Sequence, residues 1–395
     1  MRWHMTDFKS YLEAANQGDS DAQCELGLCY EYGDGVAQDY TEAVRWYREA
    51  AEQGHSEAQY RLGDCYDWGH GVARDDVEAA KWYQKAAEEG HIEAQLQLGD
   101  CYEYGHGVAQ DSAKAAKWYF EAADQGHPEA QYRLGDCYEY GSGVARDDVE
   151  AARWYREAAE QGHSEAQCRL ASLYHSGCGV KQDDAEAAKW YREAAEQGGY
   201  YPGMCQLAEC YACGRGVEQN GAEAVRWYRK AAEHGYPDAS YELAECYCYG
   251  CGVEQDSTEA TRWYREAADQ GHFEAPYELA KCYHYGKGVE QNITEAIKWY
   301  CKAADMGHFE APYKLAECYY YGNGVEQDRV EAVKWYHKAA DMGHFEASYE
   351  LARCYYYGSG VEQDRTEAIK WYRQAADMGH EAAQEFLKDL NDDEC

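Results

Sequence analysis

Residues 55–90 read HSEAQYRLGDCYDWGHGVARDDVEAAKWYQKAAEEG, and this stretch recurs along almost the whole chain. Its tryptophan, Trp82, marks the period. Tryptophans stand at 46, 82, 118, 154 and 190 and then at 227, 263, 299, 335 and 371, so the interval is 36 residues except once, where it is 37. A fixed interval of this length is the sequence signature of a tandem-repeat protein. We therefore predict an array of ten units, each of which packs on its neighbours.

Each unit contains two segments with the apolar spacing of an α-helix. In residues 55–90, Ala58, Leu62 and Tyr66 lie on one face of the first segment, and Ala79 and Tyr83 on one face of the second. No segment alternates in the way that a strand requires. The pattern predicts an all-α fold built from helical hairpins, with a first helix A and a second helix B in each unit.

Glycines and acidic residues punctuate these helices. Gly69 and Gly71 can adopt positive φ, so they are suited to ending helix A and reversing the chain. Asp39, followed three residues later by Glu42, matches a capping box at the start of helix B. The same N-cap position is filled by Asp75, Asp147, Asp364, Asn220 and Asn292.

The period sets the domain boundaries. Residues 1–18 are predicted to form an N-terminal capping helix, and residues 380–395 a C-terminal capping helix with an acidic tail. The ten repeats between them are 19–54, 55–90, 91–126, 127–162, 163–198, 199–235, 236–271, 272–307, 308–343 and 344–379.

Charge and hydropathy exclude some classes of function. The 395 residues include 74 acidic and 37 basic side chains, for a net charge of -37, which disfavours binding to nucleic acid or to anionic membranes and favours a basic partner. No window reaches the length of a transmembrane span, and the start has no signal-peptide core. We expect a monomer in the cytoplasm, and delivery into a host cell stays open as an alternative.

The repeat resembles the Sel1-like repeat family, which is related to the tetratricopeptide repeats. The resemblance is carried, within residues 55–90, by Ala58, Leu62, Gly63, Tyr66, Gly69, Gly71, Val72, Asp75, Ala79, Trp82, Tyr83, Ala86, Ala87 and Gly90. It implies a right-handed α/α superhelical solenoid whose concave surface binds other proteins. It also implies a scaffold or adaptor and not an enzyme.

The candidate partner-binding residues are acidic and aromatic side chains on the polar side of helix A, at positions that the core does not need. Carboxylates suit a basic partner, and aromatic rings often dominate interface energies. In the first half these residues are Glu31, Tyr32, Tyr60, Asp64, Asp67, Trp68, Glu103, Tyr104, Glu139 and Tyr140. In the second half they are Tyr285, Tyr320, Tyr321, Tyr356 and Tyr357. The alternative is a solvated ridge with tyrosines packed between hairpins.

Cysteines suggest a different function. The chain has 18, and nine recur once per repeat on the core side of helix A, where we interpret them as small buried apolar residues. Others cluster in the middle of the chain, and Cys178, Cys213, Cys248 and Cys251 are the candidates for a metal- or redox-responsive site. We expect free thiols and no cofactor, and this site stays open as an alternative.

Catalytic motifs are absent. The sequence lacks H-E-x-x-H, S-x-x-K and G-x-S-x-G, and its G-x-G pairs do not follow a strand as a nucleotide-binding loop requires. A recurring histidine, such as His55 or His91, stands in the turn between repeats and is interpreted as structural. The sequence therefore predicts a protein-binding scaffold, with an enzyme as the least favoured reading.

Overall fold

The computed structural model of the chain describes residues 5–197 and 199–393, and all regular structure in these ranges is α-helical. Helices α1 (Met5–Ala15) and α22 (Glu381–Asp393) flank ten helical hairpins. The first helices, A, are α2 (Ser20–Tyr32), α4 (Ser56–Trp68), α6 (Ile92–Tyr104), α8 (Pro128–Tyr140), α10 (Ser164–Ser176), α12 (Tyr201–Cys213), α14 (Pro237–Tyr249), α16 (Ala275–Tyr285), α18 (Ala311–Tyr321) and α20 (Phe345–Tyr357). The second helices, B, are α3 (Tyr40–Glu52), α5 (Asp76–Glu88), α7 (Ser112–Asp124), α9 (Asp148–Glu160), α11 (Asp184–Gln197), α13 (Gly221–Glu233), α15 (Ser257–Asp269), α17 (Ile293–Asp305), α19 (Arg329–Asp341) and α21 (Arg365–Asp377). The prediction of an all-α hairpin array is confirmed.

The chain divides into two compact units, Met1–Gly203 and Met204–Cys395. The first unit holds α1 and the first five hairpins, and the second holds hairpins seven to ten and α22. The boundary lies in the one interval of 37 residues between successive repeat tryptophans.

Helix B begins at the predicted N-cap. The carboxylate of Asp39 accepts the backbone N–H groups of Thr41 and Glu42 at 2.9 and 3.2 Å. The other half of the predicted capping box, in which the Glu42 side chain would accept the N–H of Asp39, is wrong. The N–H of Asp39 donates to the carbonyl of Tyr30 at 2.9 Å, and the Glu42 side chain pairs instead with Arg45 at 3.3 Å. The backbone of helix A takes the donor that the motif would use, which ties the two helices together.

Two glycines turn the chain after helix A, for different reasons. Gly69 has φ +71° and donates its N–H to the Cys65 carbonyl, which closes the helix. Gly71 also has φ +71°, and a Cβ atom added there would lie 2.2 Å from the Tyr40 carbonyl oxygen of the preceding hairpin. The second glycine is thus required because consecutive hairpins approach closely at this turn.

The core lies between the helices of each hairpin and between neighbouring hairpins. Tyr47, Ala50, Ala58 and Leu62 form part of one buried cluster that joins the first two hairpins. Full burial of a side chain the size of leucine stabilises a fold by about 1.5–3 kcal/mol. Stability within each unit therefore accumulates from contacts that repeat between adjacent helices.

A histidine is the N-cap residue of helix A in five hairpins, namely those of α4, α6, α8, α10 and α20. Nδ1 of His55 accepts the N–H of Ala58 at 3.2 Å, and Nδ1 of His91 accepts that of Ala94 at 3.2 Å. A ring nitrogen that accepts carries no proton, so the proton of the neutral ring is on Nε2. The recurring histidines are structural, as expected. Within the described residues, no helix combines the length and the apolar character that a membrane span needs.

Candidate protein-binding surface

The last residue of helix A carries an exposed aromatic ring in each of the first four hairpins. Tyr32, Trp68, Tyr104 and Tyr140 are 60, 71, 55 and 61% exposed. We call these four residues the first aromatic row. Each ring lies beside the glycine that closes its helix, so the same local geometry recurs at every repeat interval.

The second unit has an equivalent row. Tyr249, Tyr285, Tyr321 and Tyr357 occupy the same position in hairpins seven to ten and are 68, 55, 58 and 69% exposed. We call them the second aromatic row. Sequence reasoning missed Tyr249, which directly follows Cys248. The repeat period would have found it, since 285 − 249 = 36.

Tyr60 and Asp64 do not belong to this exposed set. The ring of Tyr60 stacks on His91 of the next hairpin at 4.7 Å, and Asp64 accepts the hydroxyl of Tyr83 at 2.8 Å. Burial raises the pKa of the Asp64 carboxyl, while the hydrogen bond from Tyr83 opposes that rise. The expectation that the core does not need these two positions is wrong, because Tyr60 packs against a buried cluster and Asp64 is bonded to the buried Tyr83. The alternative, in which tyrosines pack between hairpins, is correct for Tyr60. The rings of the two rows are exposed instead.

The acidic residue before each ring of the first row is half-buried. These residues are Glu31, Asp67, Glu103 and Glu139. The buried hydroxyl of Tyr47 donates to Glu31 at 2.5 Å. The hydroxyl oxygen of Tyr155 lies 2.5 Å from Glu139 and 2.6 Å from Asp136, and shares its one proton between these two carboxylates. Helix B tyrosines therefore hold carboxylates at the helix A surface, next to the exposed rings.

The second unit presents different side chains before the rings. Tyr320 and Tyr356 replace the acids, and each packs edge-on against the exposed ring that follows it, at 5.1 and 5.0 Å. Both are half-buried, since Tyr320 also contacts Tyr336 and Tyr356 also contacts Phe386 of α22. The second row is therefore more apolar than the first at this position.

A cleft of about 280 Å³ opens between α6 and α8 in the first unit. Glu103 and Tyr104 line it from one hairpin, and Arg133, Asp136 and Tyr140 line it from the next. The guanidinium of Arg133 donates to the Tyr104 hydroxyl at 3.4 Å. The cleft thus brings together three residues of the predicted surface, Glu103, Tyr104 and Tyr140.

The cysteines that the structure describes are not arranged as a metal site. Eight of the nine recurring cysteines are buried, and Cys29 is half-buried. Cys213 and Cys251 are exposed, whereas Cys178 and Cys248 are half-buried. In residues 5–197 and 199–393, no group of three or more Cys, His, Asp or Glu side chains is arranged to hold an ion. All 17 cysteines of these ranges are free thiols.

Burial also makes the core thiols poor nucleophiles. It raises the pKa of the Cys65 thiol to about 12, because the charged thiolate is disfavoured away from water. The same cause raises the pKa of Cys101 and of Cys137 to about 12. These thiols act as small apolar residues in the core.

Known proteins resemble the chain in both sequence and structure. The family model of the Sel1 repeat matches residues 20–55, 56–91, 92–127, 128–163, 164–199, 202–236, 237–272, 274–308, 310–344 and 345–380. A protective antigen of uropathogenic Escherichia coli with an SLR fold is 38% identical, with 95% of this chain and 80% of that chain covered and a TM-score of 0.74. A Sel1 repeat protein of Oxalobacter formigenes is 35% identical, with 78% and 90% covered and a TM-score of 0.67. Among curated proteins, no sequence matches the chain.

The ten matched repeats coincide with the ten hairpins. The sequences of the two solved structures are 38 and 35% identical to this chain over most of its length. The chain belongs to the Sel1 repeat family.

Proposed function

We propose that this protein is a scaffold that binds partner proteins through its two aromatic rows. Sel1 repeat proteins generally act as scaffolds for protein–protein interactions. The observation that carries the proposal is the exposed ring at the end of helix A, which occurs in eight of the ten hairpins. The proposal also takes the protein to be a cytoplasmic monomer.

The free energy of burying exposed rings favours a binding role for the two rows. An exposed aromatic side chain adds nothing to the core of its own hairpin. When a partner covers its rigid apolar area, however, the complex is stabilised. Tyr47 and Tyr83, in contrast, are no more than 1% exposed and serve the core. The chain therefore uses tyrosine both in the core and at the surface. Among the described residues, those of the two rows have the most exposed Phe, Trp or Tyr rings, at 55 to 71%, against no more than 45% for the others.

The first row suits a basic partner segment. Its rings adjoin the half-buried carboxylates of Glu31, Asp67, Glu103 and Glu139, and the whole chain carries a net charge of -37. Carboxylates attract lysine and arginine, and ring faces attract the same cations. We propose that this row selects basic, extended segments.

The second row differs in charge. Lys281 and Arg353 stand four residues before Tyr285 and Tyr357, at the position that Asp64 occupies relative to Trp68. Tyr320 and Tyr356 add further ring surface. We propose that the second row selects segments that are more apolar and less basic than those selected by the first.

Two row variants test the proposal. The first replaces the first row (Tyr32→Ser, Trp68→Ser, Tyr104→Ser, Tyr140→Ser), and the second replaces the second row (Tyr249→Ser, Tyr285→Ser, Tyr321→Ser, Tyr357→Ser). A matched control replaces exposed apolar residues of helix B (Val77→Ser, Val149→Ser, Val330→Ser), which are 49, 62 and 56% exposed. Peptides selected from a displayed library on the intact protein are then titrated against all four proteins, and circular dichroism verifies the fold.

The proposal predicts that each row variant loses its own peptides by roughly tenfold or more, as truncation of aromatic anchors does at other interfaces. The control should retain all of them. Retention of every peptide by both row variants would contradict the proposal, and so would an equal loss in the control.

A further inference from the structure

The cleft between α6 and α8 has the dimensions and the lining of a pocket for one long side chain. Its volume of about 280 Å³ lies just below the range of pockets that hold drug-sized ligands. Tyr104 and Tyr140 stand at its rim as rings that are more than half exposed, and the buried residues Tyr119 and Cys137 also line it. A planar or flexible side chain could enter between the two rings.

Glu103 provides an unused acceptor in this cleft. Its Oε2 atom is shielded from solvent and has no hydrogen-bond partner among the described residues. The equivalent Glu31 and Glu139 differ, because each accepts a tyrosine hydroxyl at 2.5 Å. In the hairpin of Glu103, the hydroxyl of Tyr119 donates to Asp100 at 2.7 Å instead. A shielded carboxylate oxygen without a donor is unfavourable, so a donor brought by a ligand would be stabilised there.

The charges of the cleft favour a cation. Arg133 is the one basic residue that lines it, and its Nε already donates to Glu129 at 2.8 Å. In the described residues no ion pair joins Arg133 to Glu103, whereas Asp136 adds a second carboxylate to the lining. The cleft is therefore net acidic, with ring faces beside the acids.

We propose that this cleft binds an arginine side chain of the partner, with its guanidinium between Tyr104 and Tyr140 and donating to Glu103. Arginine fits better than lysine, because a planar guanidinium stacks on rings and offers several N–H donors at fixed angles. The inference rests on the proposed function, since it places one partner residue within the first aromatic row.

The test uses the full-length protein and a fluorescein-labelled peptide, Gly-Ser-Arg-Ser-Gly, followed by fluorescence polarisation up to millimolar protein. A second peptide carries citrulline in place of arginine, which keeps the shape and removes the charge. The variants are Glu103→Gln and, as a matched control, Glu121→Gln, which removes an exposed carboxylate of helix B outside the cleft and outside the first aromatic row. Circular dichroism establishes that both variants keep their helices.

The arginine peptide should bind the intact protein and lose roughly tenfold in affinity with Glu103→Gln, as expected for loss of a charge-assisted hydrogen bond. The citrulline peptide should bind weakly to all proteins, and Glu121→Gln should match the intact protein. Equal binding of the two peptides, an unchanged Glu103→Gln, an equal loss in Glu121→Gln or no binding at all would overturn the inference. The row variants distinguish this failure from that of the scaffold, because they report on whole selected peptides and not on one arginine.

Discussion

Nε2 of His91 lies 2.9 Å from a carboxylate oxygen of Glu57, which precedes it by 34 residues in the neighbouring hairpin. Because Nδ1 of the same ring accepts the N–H of Ala94, Nε2 carries the proton and donates it to Glu57. The ring also stacks on Tyr60 at 4.7 Å. One side chain thus caps a helix and joins two hairpins. Equivalent pairs join His163 to Glu129 at 2.8 Å and His308 to Glu274 at 2.9 Å.

The first prediction concerns this link. His91→Ala removes the cap and the bond to Glu57, and should lower the free energy of unfolding by about 1–2 kcal/mol, the range for a lost N-cap and a lost hydrogen bond. His91→Asn can still cap, so it should cost less. Urea unfolding followed by circular dichroism measures both. His106→Ala, at an exposed histidine, is the control and should leave the midpoint unchanged. Equal stability of all four proteins would contradict the structural role of His91.

A second prediction concerns the charge of Glu57. Hydrogen bonds from His91 and Arg61 lower the pKa of this carboxyl to about 2, although partial burial opposes them. His91→Ala removes the larger of these two effects, so the pKa should rise toward the ordinary value of 4.5. Carbon-detected NMR titration of the glutamate side chains measures the change. An unaltered Glu57 pKa in the variant would show that His91 does not stabilise the carboxylate.

The third prediction is a pH dependence with a defined sign. Burial lowers the pKa of His272 from 6.5, although Asp238 and Glu274 oppose the shift. Nδ1 of this ring accepts the N–H of Ala275 at 3.2 Å, so a protonated ring cannot make that bond. The folded state therefore binds fewer protons than the unfolded state, and this contribution to stability is present above pH 6.5 and lost as pH falls below it.

His272→Asn isolates this contribution, because asparagine retains an acceptor and does not titrate. The whole chain also becomes less negative in acid, which acts in the opposite direction on stability, and that effect is common to both proteins. The stability advantage of the native protein over the variant should therefore shrink between pH 7.5 and 5.5. An advantage that grows in acid would reverse the sign and refute the assignment.

The fourth prediction concerns two turn glycines, and it separates the cost of left-handed backbone strain from the cost of a backbone clash. Gly71→Ala places a Cβ 2.2 Å from the Tyr40 carbonyl oxygen at φ +71°, whereas Gly54→Ala meets nothing within 4 Å at φ +91°. The second change should cost only the left-handed strain of about 1–2 kcal/mol. The first adds a backbone clash and should cost more, by roughly another 2 kcal/mol. Equal thermal midpoints for the two variants would show that the hairpins do not approach as closely as described.

The fifth prediction concerns the cysteines. Cys213 and Cys251 are exposed, and Cys65 is buried with its thiol pKa raised to about 12. Iodoacetamide at pH 8 should therefore label the two exposed thiols quickly, and should label Cys65 only after unfolding. Mass spectrometry of the digested protein measures the rates. Labelling of Cys65 at the rate of Cys213 in the native protein would contradict its burial.

The sequence was sufficient to predict the hairpins, because their signals are local. The 36-residue tryptophan period, the Asp39 N-cap and the Gly69 turn each depend on residues close in the chain. The capping box failed at one bond, because the Asp39 N–H is taken by Tyr30 of the other helix. A motif defined within one helix cannot anticipate a donor used by its partner.

Predicting the candidate surface was harder, because exposure depends on the neighbouring hairpin. Tyr60 and Trp68 are both aromatic and both on α4, yet Tyr60 is covered by His91 while Trp68 stays 71% exposed. Nothing in the local pattern distinguishes them. The position of each ring relative to the next repeat decides its role, and that relation comes only from the folded array.

The most direct measurement of the central claim is photo-crosslinking between the rows and a selected partner peptide. p-Benzoylphenylalanine is placed in turn at positions 68 and 104 of the first row and at positions 77 and 149 of helix B, which are also exposed. The account predicts that light crosslinks the peptide at positions 68 and 104 and leaves it free at positions 77 and 149. Crosslinks at the helix B positions with none in the row would contradict it.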